Sequence, residues 1–435
     1  MYTIVRTSLL GAALAAALAA PAAAQVPLTP RGLGMGAANL ALARGHDALF
    51  LNPANLGLPG NPHWSVALPQ VAGSLTLVGP RFGDLPDLKN YDDVSQQRRD
   101  ELLARIPAAG TQVATELRAP LFVMQSRRVS LGVAYAMIGD HTVSKDLVDL
   151  ILNDYDEGRT DYAVKNTSGR RASFWDVALG FGHAVGPLSV GVTGHYYRGG
   201  TLLQSRMFEP RYDLPAEDLE VDYVSVMARG GSGYGVDVGL ALQPLPALSL
   251  SAAVRNAFSR MQWTKTLRYR SITFNRADFT TVDNPVDLLS RYENSEQELD
   301  ATAVPATVAE TLPGLYDEAY FPATLQLGGA WRLPSHTDLA ASYQAHLTGG
   351  RLGAAWDRSL NLGVQQKLPL VTLRAGYATN LQGGAASGTL LTGGASLGVL
   401  HLGVGKYSNG EFGGGAREGW VGTFGVSVST KTVMP

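Results

Sequence analysis

The sequence predicts an all-β fold, a transmembrane antiparallel up-and-down β-barrel of about 14 strands. Three observations carry that prediction. Apolar residues recur with period two over most of the chain. The links between the resulting segments alternate between short and long. The chain opens with an export signal, yet after Leu18 it has no run of ~18 apolar residues of the kind a spanning helix needs.

In chain order, residues 1–24 read as a secretory signal peptide. Arg6 supplies the positive start, "LLGAALAAALAA" the apolar stretch, and "AAA" before Gln25 a small-residue cleavage site. Residues 25–62 form a separate Gly- and Ala-rich segment. Residues 63–430 carry the barrel pattern, and 431–435 form a short tail.

Composition narrows the class further. The chain has no Cys, so no disulfide framework holds it together. Gly accounts for 50 of 435 residues without a collagen period, and charged residues for only 17%, with a net charge of −2. Nothing in that balance suits nucleic acid. An exported chain of this kind is either a soluble secreted protein or a membrane barrel, whose alternating strands escape hydropathy averages.

The strands decide for the barrel. In "GVDVGLALQ", Val236, Val238, Leu240 and Leu242 share one face, while Asp237 and three small residues share the other. "ALSLSAAVRN", "SLNLGVQQ", "VTLRAGYAT" and "VSLGVAYAM" repeat the alternation that marks a strand with one apolar face. Strands are expected near 64–79, 116–125, 128–138, 173–184, 187–198, 232–243, 247–257, 321–333, 337–346, 357–367, 370–380, 388–398, 399–407 and 419–430. Every second link is short ("SR", "VG", "PLP", "PSH", "LP"). The others are long. Short turns on one rim and long loops on the other are the barrel signature, whereas propeller blades would recur at a fixed period.

The first strand carries a parity defect. Trp64, Val66 and Leu68 share one face, but Leu75 and Leu77 fall on the other, so "PQVAG" must absorb one residue as a bulge or kink. The long loops hold helical patterns. "DDVSQQRRDELLARI" gathers Val94, Leu102, Leu103 and Ile106 on one face; "SKDLVDLILNDY" begins with a cap at Ser144; "NPVDLLSRYENSEQEL" contributes Val286, Leu288, Leu289 and Tyr292. Such apolar faces either line a capture groove or pack on one another.

The stretch "RGLGMGAANLALARGHDALFLNPANLGL", residues 31–58, resembles the N-terminal hatch of the FadL-type long-chain fatty acid transporter family. The matching positions are Gly34, Gly36, Asp47, Asn52, Pro53 and Ala54, with Asn55 completing "NPAN". "GVDVGLALQPLPALSLSAAVRN" resembles a strand–turn–strand of the same family. The resemblance implies a hatch inside the lumen and residence in the bacterial outer membrane. It also implies passive uptake of long-chain fatty acids or other hydrophobic small molecules, without a cofactor. The same hatch and hairpin occur in PorV-like relatives, so a barrel that binds a protein partner through its loops is the alternative. Contacts with outer-membrane lipid follow in either case. One departure from barrels of this kind is the end of the chain, where Phe424 is the nearest aromatic residue to the tail.

A polar barrel of this size needs filling, and the segment meets that need. Its glycines permit close approach, Leu40, Leu42, Leu49 and Phe50 can pack inward, and Asn52 and Asn55 can bond freed backbone. Five ionisable residues fall on the lumen parity: Asp176, Asp237, Arg255, Asp338 and Arg374. They read either as ion pairs bracing the wall or, for Arg255 and Arg374, as carboxylate partners of a ligand. Catalysis is not expected. The chain has no H-E-x-x-H and no Cys/His metal spacing, and His183 and His195 have no paired nucleophile.

Overall fold

In the computed structural model the described residues are 29–84, 87, 94–153, 167–207, 211–213, 218–263, 268–274, 297–298, 321–349, 352, 356–381, 388–408 and 416–430. The signal peptide, the tail, and Val286, Leu288, Leu289 and Tyr292 lie outside them.

The chain enters through a short helix, α1 (Pro30–Gly34), and three 3-10 turns at Leu40–Leu42, Gly45–Ala48 and Pro53–Gly57. The wall begins with β1 (Trp64–Ala67) and β2 (Val71–Gly79). After helix α2 (Gln96–Arg105) come β3 (Thr111–Ser126) and β4 (Val129–Val143), then helix α3 (Lys145–Asn153), β5 (Ser168–Val185) and β6 (Leu188–Met207). β7 (Arg211–Asp213), β8 (Asp218–Leu245), β9 (Leu248–Gln262), β10 (Arg268–Phe274) and β11 (Gln297–Glu298) follow. The last third is a plain meander: β12 (Thr324–Arg332), β13 (Thr337–His346), β14 (Arg358–Lys367), β15 (Val371–Asn380), β16 (Thr389–Leu397), β17 (Leu400–Ser408) and β18 (Ala416–Ser429).

These strands form a closed antiparallel barrel. β18 pairs with β17 on one side and with both β2 and β1 on the other, Phe424 opposite Val71 and Val428 opposite Val66. With β1 and β2 counted as one interrupted strand, and β7, β10 and β11 left aside, the wall has fourteen strands. An even count returns the chain to the rim where it started, and Thr430 donates its N–H to the Trp64 carbonyl there.

The outer surface is apolar. Leu179, Val190, Val192, Leu240, Leu250 and Leu402 are all exposed on it. Aromatic residues bound this band. Tyr135, Trp175, Tyr196, Tyr234 and Phe258 lie on consecutive wall strands towards the long loops. Tyr135 and Trp175 pack with tilted rings at 5.2 Å and Tyr234 and Phe258 at 5.7 Å. Trp64, Phe181 and Trp331 lie near the short turns. An apolar belt between aromatic girdles is how a barrel matches a bilayer.

The first wall strand breaks where the parity changes. Leu68 and Val71 both face outward, Pro69 cannot donate to the ladder, and Gln70 is buried. Backbone bonds bridge the break, from Leu68 N–H to Val426 O (2.9 Å) and from Gln70 N–H to Pro120 O (2.9 Å). The neighbouring β3 shifts register between Pro120 and Phe122, so two adjacent strands are irregular at one height.

One expectation needs correction. Several strands run further than their alternation suggests, most of all β8 with 28 residues, where about 9–11 tilted residues cross a bilayer. β8 pairs with β6 and β10 beyond the belt, as far as Met207 opposite Tyr223 and Phe274 opposite Val221. The wall therefore continues as a sheet above the membrane. Of the two readings of the rim helices, mutual packing holds for α2 and α3. Leu102, Leu103 and Ile106 of the α2 region bury themselves against Val148 and Leu152 of α3. The structure thus settles for mutual packing, which removes both apolar faces from water at once.

Candidate functional site in the barrel lumen

Residues 29–58 pack inside the barrel. Thr29 caps α1 by accepting from Gly32 N–H, and Pro30 stands at the first helical position. Gly36 takes φ +60, where an L side chain is strained, and a Cβ on it would also press against the Tyr377 backbone. Asn52 is extended, as a residue before proline prefers, and its Oδ1 accepts from Ala54 N–H to start the 3-10 turn at Pro53. Leu33, Met35, Leu49 and Leu56 are fully buried. Each such side chain contributes roughly 1.5–3 kcal/mol to holding the segment in place.

Polar contacts fix the segment to the wall. Asn52 donates through Nδ2 to the carbonyls of Leu240 (3.0 Å) and Ala252 (3.2 Å). Asn55 donates to Leu40 O (2.7 Å) and accepts from the Ser251 hydroxyl (2.9 Å). Ser189, Thr193 and Ser342 donate to the carbonyls of Ala54, Leu49 and Ala37. Glycines make room: a Cβ on Gly191 would overlap the Pro53–Ala54 peptide, and one on Gly376 the Met35–Gly36 peptide. Gly34 likewise lies against Gly394 and the Arg374 side chain. Asp47 is buried, with Oδ1 3.4 Å from His46 Nε2. The wall serines and glycines were not singled out in the sequence, because a small residue at a strand's polar parity is indistinguishable from ordinary lumen lining.

The five lumen charges separate into two groups. Asp176, Asp237 and Arg255 meet at mid-height around His195. His195 Nδ1 lies 2.9 Å from Asp176 Oδ1, and its Nε2 lies 3.1 Å from Asp237 Oδ2. Asp237 also accepts from Asn256 N–H (2.6 Å), and Arg255 Nε stands 3.9 Å away. His195 stacks on Tyr197 at 5.6 Å, and Tyr197 donates to Asn256 (2.8 Å). Phe50 of the N-terminal segment lies 6.4 Å from the His195 ring. With a carboxylate at each ring nitrogen, His195 is an ion-pair partner. His183 instead contacts Arg128 (2.8 Å) near a short turn.

Above the segment, on the long-loop side, is a small cavity of about 90 Å³ that opens to solvent. Phe174, Tyr197, Phe321, Leu352, Leu40 and Leu51 give it apolar walls. Phe321 packs against Tyr197 at 4.4 Å and Phe174 at 4.9 Å. Arg255, Asp176 and the Glu116–Arg118 ion pair supply a polar side. Asn39, Asn256, Gln326, Gln344, His346 and Asn361 add further polar groups, so the cavity is mixed, with one aromatic and aliphatic side suited to the apolar part of an amphiphilic molecule.

The second charge group lies at the short-turn end. Asp338 is fully buried and pairs with Arg332 (2.9 Å) and Lys367 (3.1 Å). Arg374 donates to Gln365 Oε1 (2.9 Å) and the Ser396 hydroxyl (2.6 Å). These residues border a second chamber, also partly open, on the other side of the N-terminal segment.

Comparison with protein-family models and with curated protein sequences gives no match. Solved structures do match. A FadL homologue of Pseudomonas aeruginosa aligns over 94% of this chain and 100% of its own, at 14% identity and TM-score 0.52. The toluene transporter TbuX of Ralstonia pickettii aligns over 92% and 98%, at 15% identity and TM-score 0.51. The toluene transporter TodX of Pseudomonas putida aligns over 95% and 100%, at 12% identity and TM-score 0.51. At such identities the likeness is one of architecture: over nearly its whole length, this chain has a FadL-like barrel fold.

Proposed function

We propose that the protein is an outer-membrane channel for passive uptake of hydrophobic small molecules, with the N-terminal segment as its hatch. The observation that carries the proposal is the cavity directly above that segment, where an aromatic and aliphatic cluster of Phe174, Tyr197, Phe321 and Leu352 faces an otherwise polar lining. A hydrophobic molecule entering from the long-loop rim loses its water there and meets the segment next. Small displacements of residues 31–58 open a path past it, down the lumen or through the irregular wall at Leu68–Gln70. Diffusion supplies the drive, and no cofactor or energy source takes part.

The toluene transporters of like fold support a hydrophobic cargo. The finer reading is a cargo of the long-chain fatty acid class. Arg255 supports it, since its guanidinium borders the cavity and, among the described residues, its one ion-pair contact is Asp237 at 3.9 Å. Uptake of a labelled fatty acid and of toluene by cells with and without the protein tests both levels.

One observation favours a second reading, a scaffold for a protein partner. β6, β8 and β10 extend the wall as a sheet beyond the bilayer, which offers a surface to another chain. Purification from the native membrane separates the readings: a bound lipid or fatty acid favours the channel, a stoichiometric polypeptide the scaffold.

A further inference from the structure

The chamber behind the N-terminal segment has a charge imbalance that wall bracing does not explain. Five cationic side chains surround it: Arg31, Arg44, Arg332, Lys367 and Arg374. The carboxylates that reach them are Asp47 and Asp338. Asp338 is taken up by Arg332 and Lys367, and Asp47 lies beside His46. Among the described residues, Arg31, Arg44 and Arg374 have no carboxylate within ion-pair distance.

Their other contacts leave capacity to spare. Arg44 donates only to the carbonyls of Ala41 and Ala43 and, at 3.4 Å, to the Ser249 hydroxyl. Arg374 holds two neutral oxygens. Arg31 Nε is buried with no hydrogen-bond partner among the described residues, and so is His46 Nδ1. Arg31 repels both Arg44 and Arg374, and Arg332 repels Arg44, with Asp338 and Asp47 offsetting part of this at Arg44 and Arg374 respectively. Like charges gathered in a partly enclosed chamber cost stability unless an anion joins them.

We propose that this chamber is an anion-binding site, formed by Arg31, Arg44 and Arg374, that takes the carboxylate or phosphate headgroup of an amphiphile. Guanidiniums suit these groups because their paired N–H donors match two oxygens of one anion. Two of the three arginines, Arg31 and Arg44, sit on the N-terminal segment itself, so an anion bound here ties the segment to the wall through Arg374. Gln70, at the break in the first wall strand, borders the same chamber, so an acyl tail has a route towards the bilayer. The anion site stands on geometry alone; its role as the last station of uptake rests on the channel reading.

The test uses the full mature protein in an uncharged maltoside detergent. Isothermal titration is run with dodecyl phosphate, dodecanoate, inorganic phosphate and, as the uncharged control, dodecanol. The expected result is that dodecyl phosphate and dodecanoate bind, that binding weakens with added salt, and that Arg44→Gln/Arg374→Gln weakens it by about tenfold or more. Arg44→Lys/Arg374→Lys retains part of the affinity, which separates charge recognition from a folding defect. Binding of inorganic phosphate alone assigns the site to free anions; binding of the amphiphiles alone assigns it to headgroups carried on a tail. Dodecanol binding as tightly as dodecyl phosphate, or unchanged affinity in the Gln variant, overturns the site. Toluene uptake by cells with and without the unaltered protein keeps the channel reading separate, since failure of the anion site leaves that result untouched.

Discussion

The side chain of Asn52 fills the space in front of Gly239. A Cβ on Gly239 would overlap Asn52 Oδ1, while the Nδ2 of the same amide donates to Leu240 O and Ala252 O. The absence of one side chain on β8 is thus what lets the N-terminal segment bond the wall.

Gly239→Ala is expected to undock this part of the segment and leave the barrel closed, because β8 pairs through its backbone. Losing the Asn52 contacts costs about 1–3 kcal/mol. The variant should show higher single-channel conductance in planar bilayers and faster proteolysis within residues 31–58. Its gel migration when unheated should stay that of a folded barrel. Asn52→Ala should behave alike with a smaller effect, since it removes the bonds without adding a clash.

His195 separates two carboxylates, and Asp237 is almost fully buried beside it. His195→Leu leaves both acids facing an apolar side chain, with Arg255 the remaining nearby cation. A loss of about 3–5 kcal/mol is expected, read as a lower unfolding midpoint in detergent. Adding Asp176→Asn and Asp237→Asn to the same variant should restore part of the loss.

The long-loop rim carries its own ionic clasp. Burial alone would push the Asp84 carboxyl up, but it accepts from Arg105 (2.7 Å), from Arg81 N–H (2.7 Å) and from Arg98 (2.9 Å). Together these hold it below the usual carboxylate range. A carboxyl lowered in the folded state adds stability above its unfolded value and loses it as the pH falls through the folded value. Rim proteolysis should therefore be unchanged from pH 8 to pH 5 and should rise below pH ~4. Asp84→Asn should raise cleavage across the whole range and flatten the acid dependence.

The fold was largely legible because a bilayer imposes a strict code on a strand. Leu240 is exposed to lipid and Asp237 is buried in the lumen, as period two requires. The code fails where the bilayer ends. Beyond the belt β6 and β8 stay paired as far as Met207 opposite Tyr223, a length that the apolar alternation of the bilayer-crossing part did not indicate. The broken first strand was legible from its parity alone, and the structure interrupts it at Leu68–Gln70. The site was read less completely. Asp176, Asp237 and Arg255 declared themselves by parity, but His195, the common partner of the two carboxylates, carried no signal beyond its own parity. Arg31 and Arg44 were hidden in an irregular segment, where no period assigns a side chain to a chamber. Partners that face each other across a lumen are set by barrel closure, which one strand's sequence does not encode.

Uptake measured without an energy source tests the channel most directly. Cells lacking the protein and cells carrying it are treated with an uncoupler, and entry of labelled toluene and of a labelled long-chain fatty acid is followed. The account predicts faster entry of at least one of the two when the protein is present, with the gain retained under the uncoupler and increased by Gly239→Ala. Equal entry with and without the protein, together with a stoichiometric polypeptide on purification, would contradict it and leave the scaffold.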